Sequence, residues 1–321
     1  MISIVIPLYN KAHTIERTIQ SVIRQNFKDW EIVIVDDGST DRSLDKVNTL
    51  SIEHNFTIIS QENQGVSAAR NKGVKESKFD YIAFLDGDDE WDPNYLNKII
   101  ETIETAPHAG MICCAGKVRD ADGTEHLRLA KKYINKIVEI NFFENPHVFL
   151  HTSSTVVKKS AFNQTDGFPV GMKRNEDFAL FYSLAFITPV VYCGFPLSIY
   201  NGGVAGQATE TPFNQVTKHH INRFNHVHNN YLRSNRSNRL YPIFIRYELR
   251  HILLNSLKKR DYKTIEKYKT DLSKDIRKLL LPFEINFYSF EIFRKTGIYF
   301  IYATKLAWRI HNFPKSGELQ Q

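Results

Sequence analysis

The feature that most constrains the fold of this chain is an alternation of short apolar segments with helical segments over its first hundred residues. Between the apolar segments, hydrophobic residues recur at helical spacing, as in Ile15, Ile19 and Val22. Continuous apolar strands that alternate with helices are typical of βαβ units, so they predict a parallel sheet covered by helices on both faces. The predicted strands cover residues 2–6, 31–35, 56–60 and 81–85.

Three of these predicted strands end directly in a polar cluster. The clusters are Tyr9-Asn10, Asp36-Asp37 and the acidic run at 86–89. In parallel α/β sheets, ligands bind beyond the carboxyl ends of the strands. We therefore expect the three clusters to meet at one edge of the sheet and to form a binding site there.

Composition excludes several classes of protein. The chain has 321 residues, with 42% hydrophobic and 24% charged residues, which excludes disordered, collagen-like and coiled-coil proteins. Its cysteines, Cys113, Cys114 and Cys193, have no CxxC spacing, which argues against a disulfide scaffold or a cysteine zinc site. No apolar run of about 18 residues and no signal peptide is evident, so a cytoplasmic location is expected.

The acidic run at 86–89 predicts chemistry at the end of the fourth strand. Neighbouring carboxylates repel one another unless a cation lies among them, and oxygen ligands suit Mg²⁺ or Mn²⁺ shared with a diphosphate. A solvated turn that opens the next helix at Asp92-Pro93 is the alternative. The DDxxD spacing of prenyl-diphosphate enzymes also occurs at 88–92, but it requires a long helix, whereas this segment follows a strand and precedes a proline.

The other candidate residues each leave alternatives open. Tyr9 is either an aromatic platform for a base or a core residue, and Arg70 either clamps a phosphate or pairs with the acidic segments. Asp177, in a predicted loop, is either a general base or a first-turn acid of the next helix. A calcium loop starting at Asp36 is rejected because its twelfth position is Val47 instead of glutamate. Residues 148–157 are predicted to form a strand.

The ordered set of motifs resembles that of family 2 glycosyltransferases with the GT-A fold. The segments are IVIPLYN, VDDGSTD, NQGVSAARN, FLDGDDEWDP and NED, and the resemblance covers residues 1–205. It implies an α/β, Rossmann-like fold with a mostly parallel sheet and helices on both faces. The expected catalytic domain spans 1–216, with a nucleotide-binding half at 1–100 and an acceptor half at 101–216, and a C-terminal helical region follows at 217–321.

The resemblance also implies a role for each motif. Tyr9 corresponds to the residue that stacks on the base, Asp37 to the uracil contact, and Asp177 to the catalytic base. Asp88 would hold Mn²⁺ or Mg²⁺, with Asp86 binding the same metal through water or binding the ribose. The remaining nucleotide-sugar positions are Pro7, Asp36 and Arg70, and the remaining acceptor-side positions are Glu176, Thr152, Ser153, Ser154 and Thr155.

The reaction implied is inverting transfer of one sugar from a nucleotide-diphosphate sugar, a UDP-sugar by preference, to a glycan or lipid-linked glycan of a surface polysaccharide. A QxxRW signature and a transmembrane helix, which mark processive synthases of this family, are absent from the sequence. The alternative is a non-catalytic nucleotide-binding scaffold, which an assay for UDP release would distinguish. A dinucleotide dehydrogenase is disfavoured because no GxGxxG follows the first strand.

Charge is distributed unevenly along the chain. Residues 218–321 carry 21 Lys and Arg against 8 Asp and Glu, whereas residues 1–217 carry 21 against 27, for a total of +7. Arg294, Lys305 and Arg309 fall near one helical face, which is typical of a helix that lies on an anionic membrane surface. The alternative interpretation is that the basic face is only solvated. In that case these helices pack on the catalytic domain or on a second copy in a homodimer. Nucleic acid is not an expected partner, since no recognisable binding module is present.

Overall fold

The computed structural model describes residues 1–52, 54, 56–144, 146–204, 213–235 and 238–279, together with residues 299 and 303. The strands are β1 (Ile2–Leu8), β2 (Trp30–Asp36), β3 (Thr57–Ser60), β4 (Tyr81–Phe84), β5 (Glu90–Trp91), β6 (Met111–Arg119), β7 (Glu125–Arg128), β8 (Ile137–Ile140), β9 (Thr155–Lys158) and β10 (Val190–Asn201). The helices are α1 (Ile15–Ile23), α2 (Ser43–Ser51), α3 (Val66–Glu76), α4 (Tyr95–Thr105), α5 (Pro146–Phe149), α6 (Lys159–Phe162), α7 (Glu176–Leu184), α8 (Phe213–Arg233), α9 (Tyr241–Lys258), α10 (Tyr262–Asp271) and α11 (Lys274–Leu279).

The described strands form one sheet in the order β3-β2-β1-β4-β9-β6-β10-β5, with β7 added to β6 and β8 added to β10. Strands β1 to β4 pair in parallel, and every antiparallel pair involves a strand that lies after residue 89. The predicted α/β fold with a large central sheet is therefore confirmed. Because β1, β2 and β4 run in parallel, their carboxyl ends meet at one edge, which we call the rim.

Alternating residues of β1 explain why helices cover both faces of the sheet. Ile4 and Ile6 are fully buried in a cluster with residues of α1 and α4. Val5, on the opposite face, is buried against α3, where a Cβ on Gly73 would come within 2.4 Å of the valine methyl. Apolar residues on successive positions of a strand thus require cover on both sides, as the continuous apolar runs predicted.

The C-terminal helices share a core with the central sheet. Phe224 of α8 and Phe244 of α9 belong to the same buried cluster as Tyr182 of α7, and the rings of Tyr182 and Phe244 lie 5.7 Å apart. Arg223 and Glu248 form a buried ion pair between α8 and α9 at 3.2 Å. The C-terminal helices α8 and α9 therefore pack against α7, the helix that carries Asp177.

The basic segment near the C-terminus is described only in part. Tyr299 and Ala303 are helical, and Tyr299 is exposed. Arg294, Lys305 and Arg309, which defined the predicted basic face, lie outside the described residues. Among the described residues, no helix combines the length and the apolarity that crossing a bilayer would require.

The strand predicted at 148–157 is wrong over most of its length. Helix α5 ends at Phe149, a 3₁₀ turn covers Thr152–Ser154, and β9 begins only at Thr155. The hydroxyls of Ser154 and Thr155 both donate to the carbonyl of His151, at 2.9 and 2.8 Å. Local hydrogen bonds of this kind compete with strand pairing, and a sequence pattern of apolar residues does not reveal them.

Candidate active site

The rim begins with the loops that follow β1 and β2. The amide of Asp37 donates to the carbonyl of Leu8 at 2.8 Å, and Asn10 Oδ1 accepts from the amide of Thr40 at 2.8 Å, so the two loops are joined. Pro7 is buried within β1, whereas the Tyr9 side chain beyond it is 46% exposed. Tyr9 is therefore not a core residue, and its ring is available to a ligand.

Asp36 and Asp37 lie buried beneath this rim. The Asp37 carboxylate accepts hydrogen bonds from the Gln61 side chain at 2.7 Å and from the amides of Gln64 and Gly65 at 2.9 and 2.7 Å. Asp36 Oδ1 accepts from the amide of Ser39 at 3.2 Å. Asp37 thus fixes the segment that leads into α3.

Arg70 on α3 connects two acidic motifs. Its guanidinium lies 2.6 Å from Asp86 Oδ1 and 3.0 Å from Glu176 Oε1, with the side chain only 4% exposed. Burial alone would lower the pKa of Arg70, but the charges of Asp86 and Glu176 raise it above its usual value. Of the two roles that the sequence left open, the ion pair with the acidic segments is present.

The acidic loop (residues 86–90) follows β4 at the same rim. Asp88 is buried, and its Oδ2 lies 2.7 Å from the Lys11 ammonium. Burial and the adjacent Asp89 raise the pKa of Asp88, while Lys11 opposes that shift. Glu90 is held by Arg17 at 3.1 Å and by Arg119 at 2.6 Å. The carboxylates of the acidic loop therefore form ion pairs with basic side chains, and the loop is not the solvated turn that was the alternative.

Asp89 attaches the acidic loop to the hydroxyl turn (residues 151–155). Its carboxylate accepts from the hydroxyl of Ser153 at 2.5 Å and lies 3.4 Å from the ring of His151. The same Ser153 hydroxyl accepts from the amide of Asp86 at 3.1 Å. Ser153 thereby joins Asp86 and Asp89 to the predicted acceptor side, whereas the hydroxyls of Ser154 and Thr155 both donate to the carbonyl of His151.

Glu176 and Asp177 form the first turn of α7, where the sequence analysis placed a loop. Burial and the adjacent Asp177 raise the pKa of Glu176 to about 7, and Arg70 partly offsets that shift. Asp177 lies 3.4 Å from the hydroxyl of Thr152 and is only partly buried. The first-turn position and a role as base are compatible, because a partly exposed carboxylate at a helix start can still face a ligand.

The structure brings together residues that are far apart in the chain. Asp86 and Glu176 meet at Arg70, and Asp177 meets the hydroxyl turn through Thr152. The sequence analysis assigned no role to Lys11, His151 or Arg128, and it considered Asp89 only as a member of the acidic run at 86–89. Lys11 directly follows the polar cluster after β1, which was the available signal for it.

Arg128 is the residue that sequence patterns could least identify. Its guanidinium donates to the carbonyls of His147 and Leu150 at 2.8 and 2.9 Å. Burial lowers its pKa, and the charge of Asp177 acts against that shift. Arg128 therefore supplies positive charge beside the hydroxyl turn and Asp177.

The acidic loop has the ligand types that a divalent ion requires. No group of three or more His, Cys, Asp or Glu is arranged as a metal site within the part of the chain that the structure describes. Mg²⁺ usually takes one or two protein carboxylates and completes its shell with water and substrate phosphates. Asp88 fits that use, because it is a buried carboxylate beside Asp86 and Asp89 whose Oδ2 is paired with Lys11.

Comparison with known proteins gives consistent results. The family model described as Glycosyl transferase family 2 matches residues 3–165. An uncharacterized glycosyltransferase from Nostoc sp. is 33% identical over 195 residues, which covers 58% of this chain and 60% of that relative.

Two solved structures share the fold. The structure of S. aureus TarS 1-349 in complex with UDP has a TM-score of 0.69 at 15% identity and covers 96% of this chain and 91% of that chain. The mannosyltransferase PcManGT from Pyrobaculum calidifontis, in complex with GDP-Man and Mn²⁺, has a TM-score of 0.54 at 16% identity over 97% and 87% of the two chains.

Proposed function

Because the chain belongs to glycosyl transferase family 2, we propose that it transfers one sugar from a nucleotide-diphosphate sugar to an acceptor hydroxyl with inversion at the anomeric carbon. The observation that carries this proposal is the contact of Arg70 with both Asp86 and Glu176. That contact brings the acidic loop, on the expected donor side, next to the helix that carries the expected base.

The donor is proposed to be a UDP-sugar that binds at the rim. The exposed ring of Tyr9 would stack on the base, and Asp37, with Pro7 and Asp36 beside it, would line the pocket. A complex of TarS with UDP and one of PcManGT with GDP-Man support a nucleotide ligand for this fold. A thermal-shift screen of nucleotide sugars would identify the sugar and the base.

A divalent ion, Mn²⁺ or Mg²⁺, is proposed to bind Asp88, with Asp86 as a second carboxylate. The Mn²⁺ in the PcManGT complex and the buried position of Asp88 beside Asp86 and Asp89 support this assignment. When bound, such an ion would supply Lewis-acid stabilisation to the leaving diphosphate. Asp86 is aimed by Arg70 and by the Ser153 hydroxyl on its amide, so the chain itself fixes its orientation.

Asp177 is proposed to remove the proton from the acceptor hydroxyl. As that oxygen forms its bond to the anomeric carbon, the bond to the diphosphate breaks on the opposite face, and the proton passes to the Asp177 carboxylate. The Thr152 hydroxyl contacts the Asp177 carboxylate from the hydroxyl turn, and Arg70 anchors Glu176 in the same first turn of α7. The acceptor would therefore lie beside residues 151–155.

The acceptor is proposed to be a glycan or lipid-linked glycan of a surface polysaccharide. A peripheral position on the inner face of the cell membrane, reached through the C-terminal helices, suits a lipid-linked acceptor. A homodimer in which these helices meet is the other arrangement, and flotation with anionic liposomes together with sedimentation distinguishes the two.

The proposal is tested by a thermal-shift screen of nucleotide sugars with Mn²⁺, followed by an assay of nucleotide diphosphate release. A bound donor raises the melting temperature by mass action. We expect one nucleotide sugar to stabilise the wild type and not Asp88→Ala, and the same compound to be turned over. If nucleotide sugars bind but none of them is turned over, the result would instead support the non-catalytic scaffold.

A further inference from the structure

Lys11 forms a mostly buried ion pair with Asp88 at the rim. Its ammonium lies 2.7 Å from Asp88 Oδ2, and the two side chains are 16% and 10% exposed. The carboxylate that would bind a divalent ion therefore already carries a positive charge on one of its oxygens. Among the carboxylates of the acidic loop, Asp86 is held by Arg70 and Glu90 by Arg17 and Arg119.

Hydrogen bonds hold the backbone of Lys11 in place, so a change of partner for its ammonium requires only a rotation of the side chain. The amide of Lys11 donates to the hydroxyl of Ser43 at 2.7 Å, and its carbonyl accepts the amides that start α1, from Thr14 and Ile15. The Lys11 stem crosses the acidic loop at Gly87, where an added Cβ would lie 3.4 Å from Lys11 Cγ. Lysine is a compact charge on a flexible stem with three donors, which suits exchange between partners.

We propose that Lys11 is a tethered counter-cation that a divalent metal displaces from Asp88, and that the released ammonium then binds the diphosphate of the donor. This inference rests on the proposed metal role of Asp88 and adds to it a coupling between metal and nucleotide. In the free protein, Lys11 competes with the metal for Asp88. With nucleotide present, the phosphates give Lys11 a new partner, so that the competition is relieved.

The coupling follows from electrostatics alone. An ammonium in contact with a carboxylate oxygen disfavours a second cation on that carboxylate through like-charge repulsion. Phosphate oxygens offer the ammonium an equivalent charged partner close to the rim. Metal affinity and nucleotide affinity must then rise together, because coupling between two binding sites is reciprocal.

The test measures Mn²⁺ binding to the full chain by electron paramagnetic resonance, with and without UDP. In the wild type, UDP should tighten Mn²⁺ binding by about tenfold, within the usual range of binding coupling. Lys11→Met should bind Mn²⁺ alone about fivefold or more tightly than the wild type does, and UDP should tighten Mn²⁺ binding by a smaller factor in this variant than in the wild type. Lys11→Arg should restore most of the UDP dependence, since the positive charge remains.

Two further variants separate this inference from the proposed function. Lys46→Met removes a lysine that pairs with Glu16 and has no contact with the acidic loop, so it should behave as the wild type. Asp88→Asn should abolish Mn²⁺ binding. If Asp88→Asn does so while Lys11→Met leaves both Mn²⁺ affinities unchanged, the role of Lys11 is wrong and the metal site stands. If the wild type binds no Mn²⁺ even with UDP, both are wrong.

Discussion

Arg70 and Glu176 form an ion pair of 3.0 Å although 106 positions separate them in the chain. The second arm of the same guanidinium binds Asp86, which places one buried cation between two acidic motifs. The relative position of the two acidic motifs therefore depends on the buried side chain of Arg70. This relationship makes Arg70 a positioning residue as well as a source of charge.

Replacing Arg70 with methionine should destabilise the fold and abolish activity. Removal of one partner from a buried ion pair leaves uncompensated charge and costs about 3–5 kcal/mol of unfolding free energy. Urea unfolding measures that loss. The matched control is Lys72→Met on the same helix, whose pair with Glu76 is exposed and should contribute less than about 1 kcal/mol. Equal losses for the two variants would show that Arg70 has no special structural role.

Replacing Ser153 with alanine should loosen the acidic loop. The Ser153 hydroxyl donates to the buried Asp89 carboxylate, and a hydrogen bond to a charged group contributes about 1.5–3 kcal/mol. Unfolding free energy and UDP affinity should both fall. Ser154→Ala is the control, because its hydroxyl bonds only to the carbonyl of His151 and should cost about 1 kcal/mol without change in UDP affinity. The same UDP affinity in both variants would count against the role of Ser153.

The pH dependence of stability should report the buried Glu176. Its pKa is raised to about 7 from an ordinary value of 4.5, so the folded protein keeps this proton over a range in which the unfolded chain has lost it. The resulting stabilisation is complete below the unfolded pKa and is lost as pH rises through the folded pKa.

Wild-type unfolding free energy should therefore decline with pH across that window more steeply than that of Glu176→Gln. Urea denaturation at half-unit pH intervals measures the two slopes. Parallel curves for the two proteins would mean that Glu176 titrates normally.

The fold was largely predictable because it follows from local pattern. Continuous apolar runs at 2–6, 31–35 and 81–85 indicated strands covered on both faces, and the structure has β1, β2 and β4 there. Polar residues directly after those strands indicated the rim for the same reason, since parallel strands end on one side. The C-terminal helical region predicted from residue 217 onward likewise contains α9, α10 and α11.

The internal contacts of the site were not predictable from pattern. Arg70 offered two equally plausible partners, and only tertiary packing brings Glu176 to it. The partners of Lys11 and Asp89 could not be read from the sequence, because Asp88 and Ser153 are 77 and 64 positions away from them. The hydroxyl turn was mistaken for a strand because side-chain bonds to the His151 carbonyl decide its shape.

The most direct test of the account is the effect of Asp177→Asn on transfer and on donor binding in the same preparation. Loss of a general base should lower the rate of sugar transfer by about 10² to 10⁴-fold. Because Asp177 is proposed to act on the acceptor hydroxyl, UDP affinity measured by calorimetry should stay within about threefold of the wild type, as for a group that acts in the transition state. Transfer at a rate within about threefold of the wild type would contradict the assignment of Asp177 as the base.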